Sequence, residues 1–201
     1  MALVCIGAIL LATVQHGLVA ARAALTGLNP RNRQADPSEE AAAAVRLIHA
    51  ADAAVSHRGL FAAETLAPQH SFLRAALAEL ADARKASDFA SQMAILTDRA
   101  AAADRLPGRY WAAIADAAPA LGMIGTVAGM IGMAGDLGDP AQVGPSLALA
   151  LTSTLYGLIL SACIAAPLAE RAERRAEAGE RWRGQLAGAL TALVARETVT
   201  A

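Results

Sequence analysis

The residues able to do chemistry in the most apolar part of this chain are hydroxyls. Thr126 lies in ALGMIGTVAGMIG, residues 120–132, and Ser146, Ser153, Thr154 and Ser161 lie in the apolar stretch that follows. A hydroxyl donates and accepts hydrogen bonds without carrying charge, so such residues can solvate an ion but cannot move one alone. Neither stretch supplies the missing charge, because Ala117 to Gly135 and Ala141 to Ala169 contain no Asp, Glu, Lys or Arg. Another chain must bring it.

Helical spacing groups these residues. At 100° per residue, Gly122, Gly125, Gly129 and Gly132 fall within a stripe of about 80°, with Thr126 at its edge. Gly125 and Gly129 form a GxxxG pair, a pattern that lets helix backbones approach closely in lipid. Ala150, Thr154, Gly157 and Ser161 share a second narrow stripe. Packing alone accounts for the glycines, and a single Ser or Thr in a span usually bonds its own backbone. Two spans that both gather small and hydroxyl residues on one face indicate a polar seam turned toward a neighbour or water. Interhelical hydroxyl bonds average only about 0.6 kcal/mol, so stability explains such a seam poorly. Pro119 and Pro167 lie near the cytoplasmic ends of the two spans, where each removes a backbone bond and makes a kink or a hinge.

The elements that position these residues follow from the distribution of charge. The formal net charge is −1, which argues neither for nor against nucleic acid, and no nucleic-acid partner is expected. Residues 1–21 also lack Asp, Glu, Lys and Arg. A helix needs about 20 apolar residues to cross a bilayer core, which gives three candidate spans at 1–21, 117–135 and 145–169. The first lacks the basic start and clear cleavage site of a signal peptide and reads as a retained span, with His16 near its interfacial end. All 17 Lys and Arg residues lie between Arg22 and Asp116 or after Ala169. The positive-inside rule then places 22–116 and the tail 170–201 in the cytoplasm, and the short loop 136–144 on the periplasmic side. Cys5 and Cys163 fall within spans and read as small apolar residues. The expected fold is all-α: a polytopic membrane protein of three transmembrane helices, with a helical cytoplasmic region inserted between the first and second.

Within that region, Asp36-Pro37-Ser38-Glu39 has the form of a helix start, and the helix runs to Gly59 with Val45, Ile48 and Val55 inward. Phe72, Leu73, Ala76, Leu77 and Leu80 recur at helical spacing. A further helix is expected from about Asp88 to Arg105 with Phe89, Met93 and Leu96 inward, broken by Pro107-Gly108. Tyr110 and Trp111 fall where an aromatic belt meets the inner headgroups. Ninety-odd residues in short amphipathic helices make a thin core that needs neighbours.

Enzymatic readings fail. Asp116 and Asp136 flank opposite ends of a span, about 30 Å apart at 1.5 Å per residue, too far for an intramembrane protease pair. The sequence has no HExxH, no GxGxxG and no GK[ST], and no Ser/His/Asp grouping that can be placed. No catalytic residue, cofactor or metal ligand is expected.

PALGMIGTV, the acidic LGDPAQVGP loop, ALTSTLYG and the late Pro167 together resemble the MotA/TolQ/ExbB channel family, and within it the flagellar stator subunits of the MotA type. A weaker likeness extends back to HRGLFAAE. The resemblance implies an ion-driven torque generator in the bacterial inner membrane: a homo-oligomer of five subunits around a MotB-like single-span partner that carries the ion-binding Asp. By family position Thr126 and Thr154 line the ion path, while Pro119 and Pro167 couple ion passage to movement. The transported ion is H+ or Na+; Thr126 in its GTV segment is closer to the sodium-type members. The cytoplasmic helices would push on the rotor's switch-complex protein. Glu64 matches the acidic contact position, but the family arginine is Ser56 here, with Arg58 beside Gly59 as its nearest substitute. The family's four spans exceed the three found, which suggests a misplaced start, a truncated paralogue or a tolerated loss. Two other readings stay open: an ExbB/TolQ-type energiser of outer-membrane transport or envelope integrity, and a non-conducting scaffold that only packs helices.

Overall fold

The computed structural model describes residues 2–28, 37–58, 68, 70–135, 138 and 140–200, and among them there is no strand. The helices are α1 (Ala2–Leu28), α2 (Pro37–Arg58), α3 (Ser71–Ala81), α4 (Ala86–Gly135), α5 (Pro140–Leu158) and α6 (Ala166–Thr200), with a π-helical turn at Ile159–Ala165. The helix carrying α1, the one carrying α4 and the one carrying α5 to α6 are each long and apolar enough to cross a membrane. The chain divides into two compact units: Met1–Asn32 with Arg105–Glu173, and Arg33–Asp104 with Arg174–Ala201.

The first unit contains the apolar spans. Its core is built largely of alanine: Ala8, Ala12, Ala20, Ala21 and Ala24 of α1 bury against Tyr110, Ile114 and Ala118 of α4 and Ala165 of the π turn. Small side chains bring backbones close where lipid supplies no hydrophobic drive for association. The large side chains point the other way, with Val14, Leu18, Val19, Ile124, Ile131, Leu149 and Leu151 all exposed. An apolar exterior over a small-residue interior is the pattern of a bilayer-embedded bundle. Tyr110 is buried, not displayed at a headgroup belt, while Trp111 is partly buried beside it. The reason is a hydrogen bond. The Thr13 hydroxyl donates to the Ile9 carbonyl at 2.7 Å, so the Tyr110 O–H, 3.1 Å from Thr13 Oγ1, is the donor between α1 and α4. His16 lines an open groove with Gln15, Arg109 and Asp116, next to the apolar Leu11 and Ala112.

Three boundaries differ from the sequence expectation. The first helix extends to Leu28, and Gly17 inside it has φ 79° and ψ 166°. That backbone region is essentially restricted to glycine, so residue 17 is Gly for its conformation; a Cβ there would touch nothing within 4 Å. Pro107-Gly108 does not end a helix, because α4 runs through both. A Cβ on Gly108 would stand 3.7 Å from the Ala169 carbonyl oxygen and from Ala172 Cβ, an ordinary contact between α4 and α6. Tyr110 and Ile114, in the turns that follow, are buried in the core of this unit, packing that opposes a proline penalty of about 3 kcal/mol. The expected loop 136–144 is shortened by α5, which starts at Pro140; Asp136, Leu137 and Asp139 lie outside the described residues.

The second unit is an amphipathic helix cluster. Leu73, Ala76, Leu77 and Leu80 of α3 and Phe89 and Met93 of α4 are buried as their spacing predicts, with Phe72 and Leu96 at the edge. The buried face of α2 is Ala44, Leu47, Ala51 and Val55, at i, i+3, i+7 and i+11; Ile48 flanks it, and Val45 is half exposed. Expecting Val45 inside mistook a rotated face, an easy error in a helix where alanine can serve either side. The tail completes the core: Trp182, Leu186, Leu190, Leu193 and Val194 of α6 are buried. This is the neighbour that the thin core of residues 22–116 needed.

One ion pair is sunk in that cluster. Arg183, 5% exposed, meets Asp104 at 2.5 Å, and its guanidinium carbon lies 5.4 Å from the Phe72 ring and 5.1 Å from the Trp182 ring. Gly179 makes the room, since a Cβ there would stand 3.1 Å from Asp104 Oδ2 and 3.2 Å from the Arg183 nitrogens. Removing one partner strands a buried charge, at a cost of 3–5 kcal/mol in fully enclosed pairs. Asp104 keeps 40% of its side-chain exposure, which lowers the figure. Asp104→Ala should therefore destabilise the chain by about 2 kcal/mol, and Arg183→Met by less, read from thermal unfolding. Gly17→Ala should cost about 1–3 kcal/mol in the same measurement.

Candidate functional site: the seam between α4 and α5

The stripes read from the sequence face each other. A Cβ on Gly129 would stand 2.6 Å from Ala150 Cβ, and one on Gly125 would stand 2.6 Å from both Cβ and Oγ of Ser153. On Gly122 it would meet the Ser153 carbonyl oxygen at 3.1 Å and Thr154 Cα at 3.2 Å; on Gly157, the Ala118 carbonyl oxygen at 2.6 Å. Later residues of α4 pair with earlier residues of α5, so the helices are antiparallel. Gly132 is the loose end of the stripe, where a Cβ would meet only Ser146 Oγ, at 3.7 Å.

Antiparallel packing also explains where the threonines go. Thr126 and Thr154 are each turned about 70° from the contact line in the same sense. On antiparallel helices that offset brings both to the same side of the seam, and the two hydroxyls are hydrogen-bonded to each other. Thr126 Oγ1 is also within 3.2 Å of the Gly122 carbonyl oxygen and 3.3 Å of that of Ala150, and Thr154 Oγ1 is 3.5 Å from Gly122 O. Both are half-buried. Each hydroxyl has one proton to donate, so the pair retains oxygen lone pairs. The exposed side chains on that side of the wheel are Met123 and Met130 of α4 and Leu147, Leu151 and Leu158 of α5. The pair is thus a polar spot on an apolar surface.

Two further hydroxyls are engaged. Ser153 is buried and donates to the Ala150 carbonyl at 2.8 Å, with Gly122 O at 3.4 Å. Ser161 donates across to the Ala115 carbonyl at 2.6 Å. The spacing had marked Ser161 as part of the stripe but left its partner open; the signal was Pro119, which has no N–H for that carbonyl. Pro119 is half-buried in α4 and Pro167 is exposed near the start of α6, directly after the π turn. Of the two rotor-contact candidates, Arg58 is the last residue of α2, and Glu64 lies outside the described residues.

The close approach gives a graded expectation for glycine substitutions. Gly129→Ala forces α4 and α5 apart and should cost about 1–3 kcal/mol, seen as a lower thermal midpoint of the purified chain. Gly132→Ala, which meets only ordinary contacts, should leave the midpoint unchanged or slightly raised.

Comparison with known proteins places this architecture. The chain is similar to chemotaxis protein PomA of Vibrio alginolyticus, 44% identical over 63 residues, covering 31% of this chain and 25% of PomA. It is similar to motility protein A of Aquifex aeolicus, 47% identical over 64 residues, covering 32% of this chain and 25% of that protein. The matched stretch thus spans a quarter of each curated relative. Its fold resembles a solved structure of C. jejuni MotAB, with a TM-score of 0.77 and 18% identity over 97% of this chain and 76% of that one. The model of the MotA/TolQ/ExbB proton channel family matches residues 64–182, more than half of the sequence. With its apolar helices and the α4–α5 seam inside that matched region, the chain is an integral membrane protein belonging to the MotA/TolQ/ExbB proton channel family.

Proposed function

We propose that this chain is a MotA-type stator subunit in the bacterial inner membrane, and that the α4–α5 seam is the uncharged wall of its ion path. One observation carries the reading. Thr126 and Thr154, far apart in sequence, present their hydroxyls together on a surface that has no carboxylate of its own. The relatives support it, since stretches similar to this chain belong to a chemotaxis protein and a motility protein.

The partner follows from the missing charge. An acid at the bilayer centre costs about 2.5–3.5 kcal/mol on insertion scales and persists where polar groups receive it. A MotB-type single-span helix carrying an Asp would lie along Met123, Met130, Leu147 and Leu158, with its carboxylate opposite the two hydroxyls. Thr126 and Thr154 then exchange bonds with one another for bonds to the carboxylate or to the ion it releases. Each charge crossing 100 mV supplies about 2.3 kcal/mol, the scale available to move Pro119 and Pro167. Several copies of the chain, five by family resemblance, surround the partner, and the cytoplasmic helices carry the movement to the rotor through Arg58 and Glu64. The ion is a proton, in keeping with the family description, or sodium.

In cells expressing the chain with a MotB-type partner, Thr154→Val and Thr126→Val should each lower ion flux by at least about tenfold, the loss of one bond to a charged group. Thr→Ser at either position should retain most of it. Imposing a pH or a sodium gradient separately identifies the ion. Full flux through Thr154→Val would remove the lining role.

A further inference from the structure

Helical hydroxyls in this chain mostly bond back to their own helix. Thr13, Thr97, Thr152 and Thr191 donate to carbonyls four residues earlier, at 2.5 to 2.9 Å. Ser161 does not. Its hydroxyl reaches a different segment and donates to the Ala115 carbonyl at 2.6 Å. That carbonyl is the one that an uninterrupted α-helix would bond to the amide of residue 119, which is proline and has none. The proline ring also crowds the carbonyl four residues back and turns it outward from the helix axis. In a bilayer, such a freed acceptor needs a donor from a neighbouring helix.

Ser161 has a second connection. It lies in the π turn Ile159–Ala165, and its own carbonyl accepts the Ala166 amide five residues on, immediately before Pro167. One residue therefore bonds next to both prolines: its hydroxyl to the carbonyl that Pro119 leaves free, and its carbonyl to the amide of Ala166, the residue before Pro167. Isolated π turns inside α-helices occur frequently at functional sites. We propose that Ser161 is a positioning residue for ion-coupled movement: its hydroxyl replaces the amide that Pro119 lacks, and ties the bend of α4 to the π turn ahead of Pro167. The tie is a single side-chain bond, so it can open and close without unwinding either helix. This assignment rests on the stator reading above.

The test is a double-mutant cycle in the full chain co-expressed with a MotB-type partner, read as ion flux in cells and as the thermal midpoint of the purified complex. Ser161→Ala should lower flux about 3- to 10-fold and the midpoint by about 2–4 °C, while Ser161→Thr, which keeps the donor, should restore both. Pro119→Ala gives residue 119 an amide for Ala115, so adding Ser161→Ala to it should move the midpoint by less than about 1 °C. Equal midpoint losses in both backgrounds would overturn the bond assignment, since they would show that Ser161 acts elsewhere. Full flux through Ser161→Ala alongside a loss in Thr154→Val would overturn the positioning role and leave the ion path standing. Full flux through both variants would instead defeat the stator reading, and the positioning role with it.

Discussion

Between Gly129 and Ala150 the two helix backbones stand so close that a methyl group on the glycine would overlap the alanine side chain. Every other feature of the seam depends on that spacing. It sets the antiparallel register of α4 and α5, and the register determines which groups meet. Gly122 faces Thr154, Gly125 faces Ser153, and Gly157 faces the carbonyl of Ala118. At an ordinary helix spacing, about 10 Å between axes with large side chains between, the two threonines would not reach one another. The glycines are therefore more than absent side chains; they bring hydroxyls and carbonyls into bonding distance.

In a bilayer interior each polar group needs a partner, and the named hydroxyls of the seam show how tightly that requirement is met. Ser153 and Ser161 are taken up by backbone carbonyls. Thr126 and Thr154 bond one another and share the Gly122 carbonyl, with Thr126 also at the carbonyl of Ala150. The two threonines are also half-exposed, with lone pairs to spare, on the side of the seam where Met123 and Met130 are exposed. A surface built this way offers solvation without charge. It suits a titrating group that arrives on another helix, because a fixed charge here would either hold the ion or repel it. In the second unit a buried charge is compensated by one ion pair and by ring faces: Arg183 pairs with Asp104 and lies over Phe72 and Trp182.

Much of this was legible in the sequence, and the failures have physical causes. Gaps in the charge distribution gave the three spans, and 100° spacing gave both stripes, including Ser161. Alanine blurred α2, because it satisfies a core position and a surface position equally well, and the face came out rotated by one residue at Val45. Pro107-Gly108 was misread because local helix-breaking propensity gives no sign of the packing that holds Tyr110 and Ile114 in place. The apolar face of the tail, Trp182 to Val194, repeats at helical spacing, but a tail after the last span invites no search for a core. The π turn and the Gly17 break are invisible to a method that assumes one helical pitch. The bond between Ser161 and Ala115 was recoverable by asking where the carbonyl before Pro119 finds its donor.

The central claim is that the side of the seam bearing Thr126 and Thr154 faces a helix from another chain, not lipid. The most direct test is photo-cross-linking from that seam in intact membranes containing a MotB-type partner. A photoreactive residue at position 154 should form an adduct with the partner's single membrane helix, and one at Leu149, on the exposed apolar face, should label lipid. Adducts from position 154 confined to lipid, with the partner present and unlabelled, would contradict the account.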